Sequence, residues 1–305
     1  MGLLRNIFAR RYKEINAVKD ISFTIEQGEL VGFVGPNGAG KTTTMKMLAG
    51  ILHPTSGNIN VLGFTPFEKN HAYLRQISFI MGQKNQMLWE LPAVDTFKLN
   101  KTIYDISDTD YKKTLSTLVE MLDAKSIINQ PVKTLSLGQR MKVELISTLI
   151  HTPKVLFLDE PTIGLDVVAQ KNIRDFIQQY QSFYKATILL TTHYMEDVRR
   201  LAKRVIIIDH GALMYDGPID KLIKKYARTK TVEIVVEDMP NVALLEKIGS
   251  IESVDFPKIR FRVIRKDVPH LIAAISENIG FIDITVEEEK VEDIIRTIFG
   301  QSKES

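Results

Sequence analysis

Gly35-Pro36-Asn37-Gly38-Ala39-Gly40-Lys41-Thr42 is the stretch on which the reading of this chain turns. It satisfies the pattern G-x-x-x-x-G-K-[ST]. An apolar run, Leu30-Val31-Gly32-Phe33-Val34, stands before it, and a helix-compatible segment from Lys41 to a stop at Gly50 follows it. A Gly-rich loop between strand and helix is the setting in which this pattern has a mechanism. The glycines let backbone N–H groups turn inward around phosphate oxygens, and the helix N-terminus adds its positive dipole end. Lys41 is then placed to reach the β- and γ-phosphates of a nucleotide, and the Thr42 hydroxyl to ligate Mg²⁺. Gly35, Pro36, Asn37, Gly38, Ala39, Gly40 and Thr43 complete the expected nucleotide-contacting set.

Working outward, Val155-Leu156-Phe157-Leu158-Asp159-Glu160 supplies a second half to such a site. Four apolar residues bury a strand, and its end delivers two carboxylates. Asp159 is expected to hold Mg²⁺ through water, and Glu160 to orient and deprotonate the attacking water. Phosphoryl transfer depends mostly on positioning and charge stabilisation, so a carboxylate one residue beyond the metal ligand is well placed.

The rest of the chain divides by periodicity. Residues 18–25 and 30–34 read as two strands joined at Gln27-Gly28, and residues 92–152 read mostly as helix. From Val155 the pattern alternates strand and helix, with apolar runs at 155–158, 187–190 and 205–208 that suit a parallel sheet covered on both faces. Residues 227–231 are short, polar and basic, and read as a linker. Beyond them Val232, Ile234 and Val236 alternate, as do Ile259, Phe261 and Val263, and Ile282, Ile284 and Val286, which marks half-buried strands. Helical segments beginning near Asn241, Asp267 and Lys290 complete a β-α-β-β-α-β-α order, a ferredoxin-like arrangement. Charge shifts at the same place: from Lys230 onward ten Lys/Arg face fifteen Asp/Glu, a balance of −5, against +8 for the first 229 residues.

Composition bounds the function. At 44% hydrophobic and 25% charged, the chain has the makings of a soluble globular protein with a real core. No apolar run approaches the roughly 18–20 residues that cross a bilayer. The opening Met-Gly-Leu-Leu-Arg-Asn carries neither an apolar signal region nor a myristoylation pattern, so the chain is not expected to enter a membrane by itself. With no cysteine, a disulfide framework and thiolate metal sites are excluded. A net charge of +3 gives no argument for a nucleic-acid partner.

Leu135-Ser136-Leu137-Gly138-Gln139 resembles the signature sequence of the ABC ATPases, normally L-S-G-G-Q, with Leu137 in place of the first glycine. The resemblance implies that Ser136, Gly138 and Gln139 contact the γ-phosphate of an ATP bound by a second subunit. Ser136 also reads as the N-cap of a helix over 138–150, which suits an anion-binding loop. Further elements follow in the family's order. Gln83, in Met81-Gly82-Gln83, resembles the Q-loop glutamine, a Mg²⁺ ligand beside Thr42 and Asp159. Gly164-Leu165-Asp166 resembles the D-loop, and His193, in Thr191-Thr192-His193, the switch histidine that bonds the γ-phosphate. Tyr12 is similar in position to the aromatic that stacks on adenine. Lys41, Glu160 and His193 form the implied catalytic set.

The resemblance covers residues 5–225 and is closest to the ATPases of type-2, export-type bacterial ABC transporters. It implies an α/β fold: a P-loop ATPase domain over 1–226, with a mixed sheet, a RecA-like core and a helical subdomain. A small α+β accessory or regulatory domain, ferredoxin-like, would occupy 231–301. The implied activity is ATP hydrolysis, with ATP and Mg²⁺ as cofactors. The implied assembly is a homodimer sandwiching ATP, beside a separate transmembrane permease, at the cytoplasmic face of the cell membrane. An importer motor, or a soluble ABC ATPase acting on ribosomes or DNA, is the alternative. Trp89 reads either as a contact for the membrane partner or as a core residue of the helical subdomain.

Overall fold

A computed structural model of the protein describes residues 15–82, 86–192, 194–226, 229–289 and 294. The chain divides into two compact units, Met1–Asp216 and Gly217–Ser305.

The first unit is organised around strand β1, Leu30–Val34, all five of whose residues are buried. It runs parallel to β4 (Thr187–Thr191) on one side and β5 (Arg204–Asp209) on the other. Beyond β4 lie β3 (Val155–Asp159) and β2 (Ile77–Met81), also parallel, and β6 (Ala212–Pro218) adjoins β5 at the far edge. The sheet order is thus β2-β3-β4-β1-β5-β6. The continuous apolar runs make sense here, because a parallel strand covered on both faces has no polar side to offer. Helix α1 (Lys41–Leu48) returns from β1 onto this sheet, where Met45 packs with Val31, Phe33, Phe157, Leu189 and Ile206. Each such fully buried side chain contributes about 1.5–3 kcal/mol relative to exposure.

After the short helix α2 (His71–Leu74) and β2, the chain becomes helical, as its spacing predicts: α3 (Ala93–Ile103), α4 (Asp108–Met121) and α5 (Leu137–Leu149). Ser107 caps α4 by accepting the Asp110 N–H, with Asp108 and Asp110 in the first turn where their charge suits the dipole. Helices α6 (Val167–Tyr184) and α7 (Met195–Leu201) alternate with the later strands.

Residues 18–25, expected as a strand, join no ladder. Both edges of β1, the strand it leads into, are already taken by β4 and β5, so it does not form a hairpin ladder with β1. It runs as irregular chain instead: the Lys19 N–H donates to Gly211 O at 2.7 Å, and Phe23 and Ile25 pack on the core.

In the second unit, helix α8 (Ile219–Tyr226) precedes strands β7 (Thr229–Val235), β8 (Ser250–Asp255), β9 (Lys258–Ile264) and β10 (Asp283–Glu288). The four strands form an antiparallel sheet ordered β10-β7-β9-β8. Helices α9 (Val242–Ile248) and α10 (Val268–Asn278) bury Leu245, Leu271 and Ile275 against Val232, Ile234, Ile259 and Phe261. The resulting β-α-β-β-α-β order is that of a split β-α-β unit. The other face is ionic, with Glu233 accepting from Lys258 and Arg260, each at 2.6 Å. Residues 229–231, expected within a linker, belong to β7, where they pair with Ile264, Val263 and Arg262 of β9. Asn241 caps α9, accepting the Ala243 N–H.

Candidate active site

The loop from Gly35 to Gly40 bridges β1 and α1. Gly40, the cap of α1, has φ 102°, and a Cβ there would lie 2.5 Å from the Ala17 carbonyl oxygen. Backbone conformation and crowding each require glycine at that point. Lys41 is buried under the loop, its Nζ donating to Gly35 O at 2.7 Å and Pro36 O at 3.0 Å. Burial holds its pKa below the ordinary lysine value, and the nearby Glu160 and Asp159 carboxylates work in the opposite direction. Asn37 and Gly38 are exposed at the tip, while Thr42 and Thr43 are half-buried in the first turn.

Strand β3 delivers Asp159 beneath this loop. Thr42 Oγ1 donates to Asp159 Oδ2 at 2.8 Å, and Thr191 Oγ1, from the end of β4, donates to Oδ1 at 2.6 Å. Both carboxylate oxygens are thereby fixed, and the side chain is almost wholly buried. Glu160 stands at the strand's exit with φ 56°, a left-handed conformation costing a non-glycine residue about 1–3 kcal/mol. The surroundings enforce it: the Glu160 N–H donates both to Thr191 O and to Thr191 Oγ1, each at 3.1 Å. From the other side Gly82 presses close, donating its N–H to Asp159 O at 2.9 Å, and a Cβ on Gly82 would lie 2.1 Å from Glu160 O. Glu160 also lines a cavity of about 170 Å³ with Thr162, Ile163, Thr192 and Tyr194.

Ser136 caps α5, which begins one residue earlier than the spacing predicts, at Leu137. The cap is reciprocal: the Gln139 N–H donates to Ser136 Oγ at 3.3 Å, and the Ser136 N–H donates to Gln139 Oε1 at 2.9 Å. Ser136, Leu137 and Gln139 are exposed, and Gly138 is half-buried. Asp166 caps α6, accepting the Ala169 N–H at 2.8 Å. Tyr12, Gln83 and His193 lie outside the described residues. The structure thus brings Lys41, Thr42, Asp159 and Glu160 together at the P-loop. Ser136, Gly138 and Gln139 sit on a separate surface helix end.

Sequence reasoning missed a buried network behind the cavity. Asp197 of α7 accepts from Thr162 Oγ1 (2.6 Å), Thr192 Oγ1 (2.9 Å) and Arg174 Nη1 (2.7 Å), and all four residues are buried. It clasps the loop after β3 to the loop after β4. Thr191 was also missed, although Thr191-Thr192 was in view as the prelude to His193. Its run of hydroxyls at the end of an apolar strand is the signal that could have found both threonines.

The chain was compared with known proteins. A family model described as ABC transporter matches residues 18–163. The ABC transporter ATP-binding protein NatA of Bacillus subtilis is 35% identical over 215 residues, covering 70% of this chain and 87% of that protein. The Nod factor export ATP-binding protein I of Ralstonia nicotianae is 32% identical over 237 residues, covering 77% and 73%. Among solved structures, an ATP-binding subunit of an ABC transporter superposes with a TM-score of 0.63 at 26% identity, over 69% of this chain and 87% of that one. The family match spans the strand, loop and helix arrangement that carries Lys41, Asp159 and Glu160, and the chain belongs to the ATP-binding proteins of ABC transporters, which are ATPases.

Proposed function

We propose that this chain is the motor of an export-type ABC transporter, working as a homodimer that closes head to tail around two ATP molecules. The observation that carries the reading is the junction under the P-loop, where Thr42 of the nucleotide loop and Thr191 of the neighbouring strand both bond Asp159. Lys41, held by Gly35 O and Pro36 O, is the cation for the β- and γ-phosphates. Thr42 and Asp159 present adjacent hard oxygens, the donor chemistry that Mg²⁺ prefers, so these residues fit the ion. When bound, Mg²⁺ would neutralise developing charge on the phosphates. Glu160, pinned through Thr191, orients and deprotonates the attacking water.

The signature loop supports the dimer. Ser136 caps its helix with acceptor oxygen and N–H already engaged, and it is exposed. Its free hydroxyl hydrogen and the helix N-terminus suit the γ-phosphate of an ATP held by the other copy. Tyr12 is proposed for the adenine, Gln83 for the ion and His193 for the γ-phosphate on the family resemblance alone.

Among the described residues no helix is long and apolar enough to cross a membrane, so a separate permease would hold the translocation path. Trp89 is 41% exposed and Leu91 45%, which favours partner contact over the core reading for this segment. The name of the Ralstonia relative, an export protein, supports export over import. The second unit offers an ionic sheet face and is proposed as an accessory or regulatory module at the cytoplasmic face of the membrane.

Purification of the chain from native membranes under mild detergent tests the assembly. A co-purifying multi-span permease is the expected result, and recovery with ribosomes or DNA instead would overturn it. Hydrolysis of ATP by the purified chain, lost in Glu160→Gln, tests the motor assignment.

A further inference from the structure

Glu160 holds a left-handed backbone conformation that only its surroundings can enforce, and those surroundings close into a ring. On the side before it, its N–H is tied to Thr191 through both the carbonyl and the hydroxyl of that residue. The next residue, Thr192, donates from Oγ1 to Asp197 Oδ2 at 2.9 Å. On the side after it, Pro161 stiffens the chain by fixing its own φ. Thr162 Oγ1 then donates to the same oxygen, Asp197 Oδ2, at 2.6 Å. The path thus runs from Glu160 through Thr191, Thr192, Asp197, Thr162 and Pro161 and back to Glu160. Apart from Glu160 itself, every member of the ring is buried.

A carboxylate is an expensive choice for the keystone of this ring. Asp197 forms a buried ion pair with Arg174, whose Nη1 donates to Oδ1 at 2.7 Å. Apolar side chains of like volume often pack in such a place with equal or better stability. What they lack is direction. The guanidinium takes Oδ1 and so orients the carboxylate, and Oδ2 receives both hydroxyls at one point. The turn after Glu160 and the turn after Thr191 are thereby set against each other, and not merely each against the core. Thr192 extends the hold, because its Oγ1 also accepts the Tyr194 N–H at 2.9 Å, and Tyr194 lines the cavity beside Glu160.

We propose that Asp197 is a positioning residue for ATP hydrolysis: by joining Thr162 to Thr192 it closes the ring that keeps Glu160 in its left-handed conformation, and so keeps the Glu160 carboxylate where the attacking water must be. With the ring opened, Glu160 relaxes towards an unstrained conformation and its carboxylate leaves the line of attack. This inference rests on the proposed role of Glu160 as general base, and it adds the residue that sets that base in place.

The test uses the full chain, with ATP affinity and steady-state hydrolysis measured separately, below the unfolding midpoint of each variant and per nucleotide site titrated. Valine at either threonine keeps the shape and loses the hydroxyl, while serine keeps the hydroxyl. Thr162→Val and Thr192→Val should each lower kcat by about ten- to a hundredfold while ATP affinity stays within about twofold, because Lys41 and its loop are untouched. Thr162→Ser and Thr192→Ser should recover most of the rate. The double valine variant should be no slower than the slower single one, since one cut already opens the ring. In a Glu160→Gln chain, adding Thr162→Val should lower the residual rate no further. Asp197→Asn should fall at least as far as the valine variants. If it does not fold, the threonine variants decide the matter, since they leave the Asp197–Arg174 pair intact. Hydrolysis within about twofold of wild type in either valine variant would overturn the proposal, as would losses that multiply in the double variant or a further fall in the Glu160→Gln background. Wild-type hydrolysis in Glu160→Gln alone would instead count against the general-base reading beneath it.

Discussion

Thr162, which lines the cavity beside Glu160, donates to Asp197 in a buried hydrogen bond of 2.6 Å that joins the loop after β3 to α7. The same carboxylate neutralises the buried Arg174. Removing it leaves a cation in the interior without its counter-charge, so Asp197→Ala should cost about 3–5 kcal/mol of stability. Thr162→Val, which loses one hydroxyl, should cost about 1–3 kcal/mol. Urea unfolding of the two variants measures both, and equal losses would show that the ion pair adds nothing beyond the hydroxyl bond.

Lys41→Ala should abolish tight ATP binding and leave the fold intact. Among the described residues the side chain bonds only the loop that it underlies, and its burial already works against its charge. Fluorescent-nucleotide titration alongside thermal unfolding checks this. Wild-type affinity in the variant would remove the lysine from the phosphate site.

Glu160→Gln should trap an ATP-bound homodimer, with hydrolysis lowered by about 10²–10⁴-fold, a typical general-base contribution. The amide preserves shape, and the backbone bonds to Thr191 that pin the residue are unaffected. Light scattering during size-exclusion chromatography should show the dimer in ATP and Mg²⁺ but not in ADP. Adding Ser136→Arg should prevent it. A dimer indifferent to that second substitution would mean that Ser136 does not face the partner's nucleotide.

Glu144, buried on α5, makes stability depend on pH in a defined direction. Its folded-state pKa, raised by burial to about 7, lies above the ordinary carboxylate value. Its contribution is therefore fully present below that ordinary value, near 4.5, and is lost as the pH climbs through 7. Glu144→Gln does not titrate, so its advantage over wild type should grow between pH 5 and pH 8 by up to about 3 kcal/mol. Denaturation midpoints at the two pH values give the result, and parallel curves would mean that the carboxyl is solvated.

Much of this was legible in the chain itself, for identifiable reasons. Residues 30–34, 155–159, 187–191 and 204–209 are strands because their apolar runs tolerate only a doubly covered sheet. The loop at 35–42 was legible because its function is made of backbone, and backbone geometry is written locally in glycines. Residues 18–25 were misread because the same alternation serves a strand and a packed irregular segment, and the availability of a neighbour is not local information. Asp197 was invisible for a related reason. In the first turn of α7 it stands beside Glu196, and nothing in that pair says that one faces solvent and the other the interior. Glu144 likewise reads as an ordinary helix-former until its neighbours are known.

The reciprocal cap at Ser136 bears on how fast two such chains can engage. A loop that ordered itself only on contact would make most collisions fruitless, and dimerisation would wait on a conformational search. Here Gln139 has already locked both the amide and the hydroxyl oxygen of Ser136 before any partner arrives. The entropy of arranging the loop is spent during folding rather than at the encounter. In the proposed homodimer, closure would then have the kinetics of two finished surfaces meeting, with a rate that follows chain concentration and ATP occupancy rather than loop rearrangement.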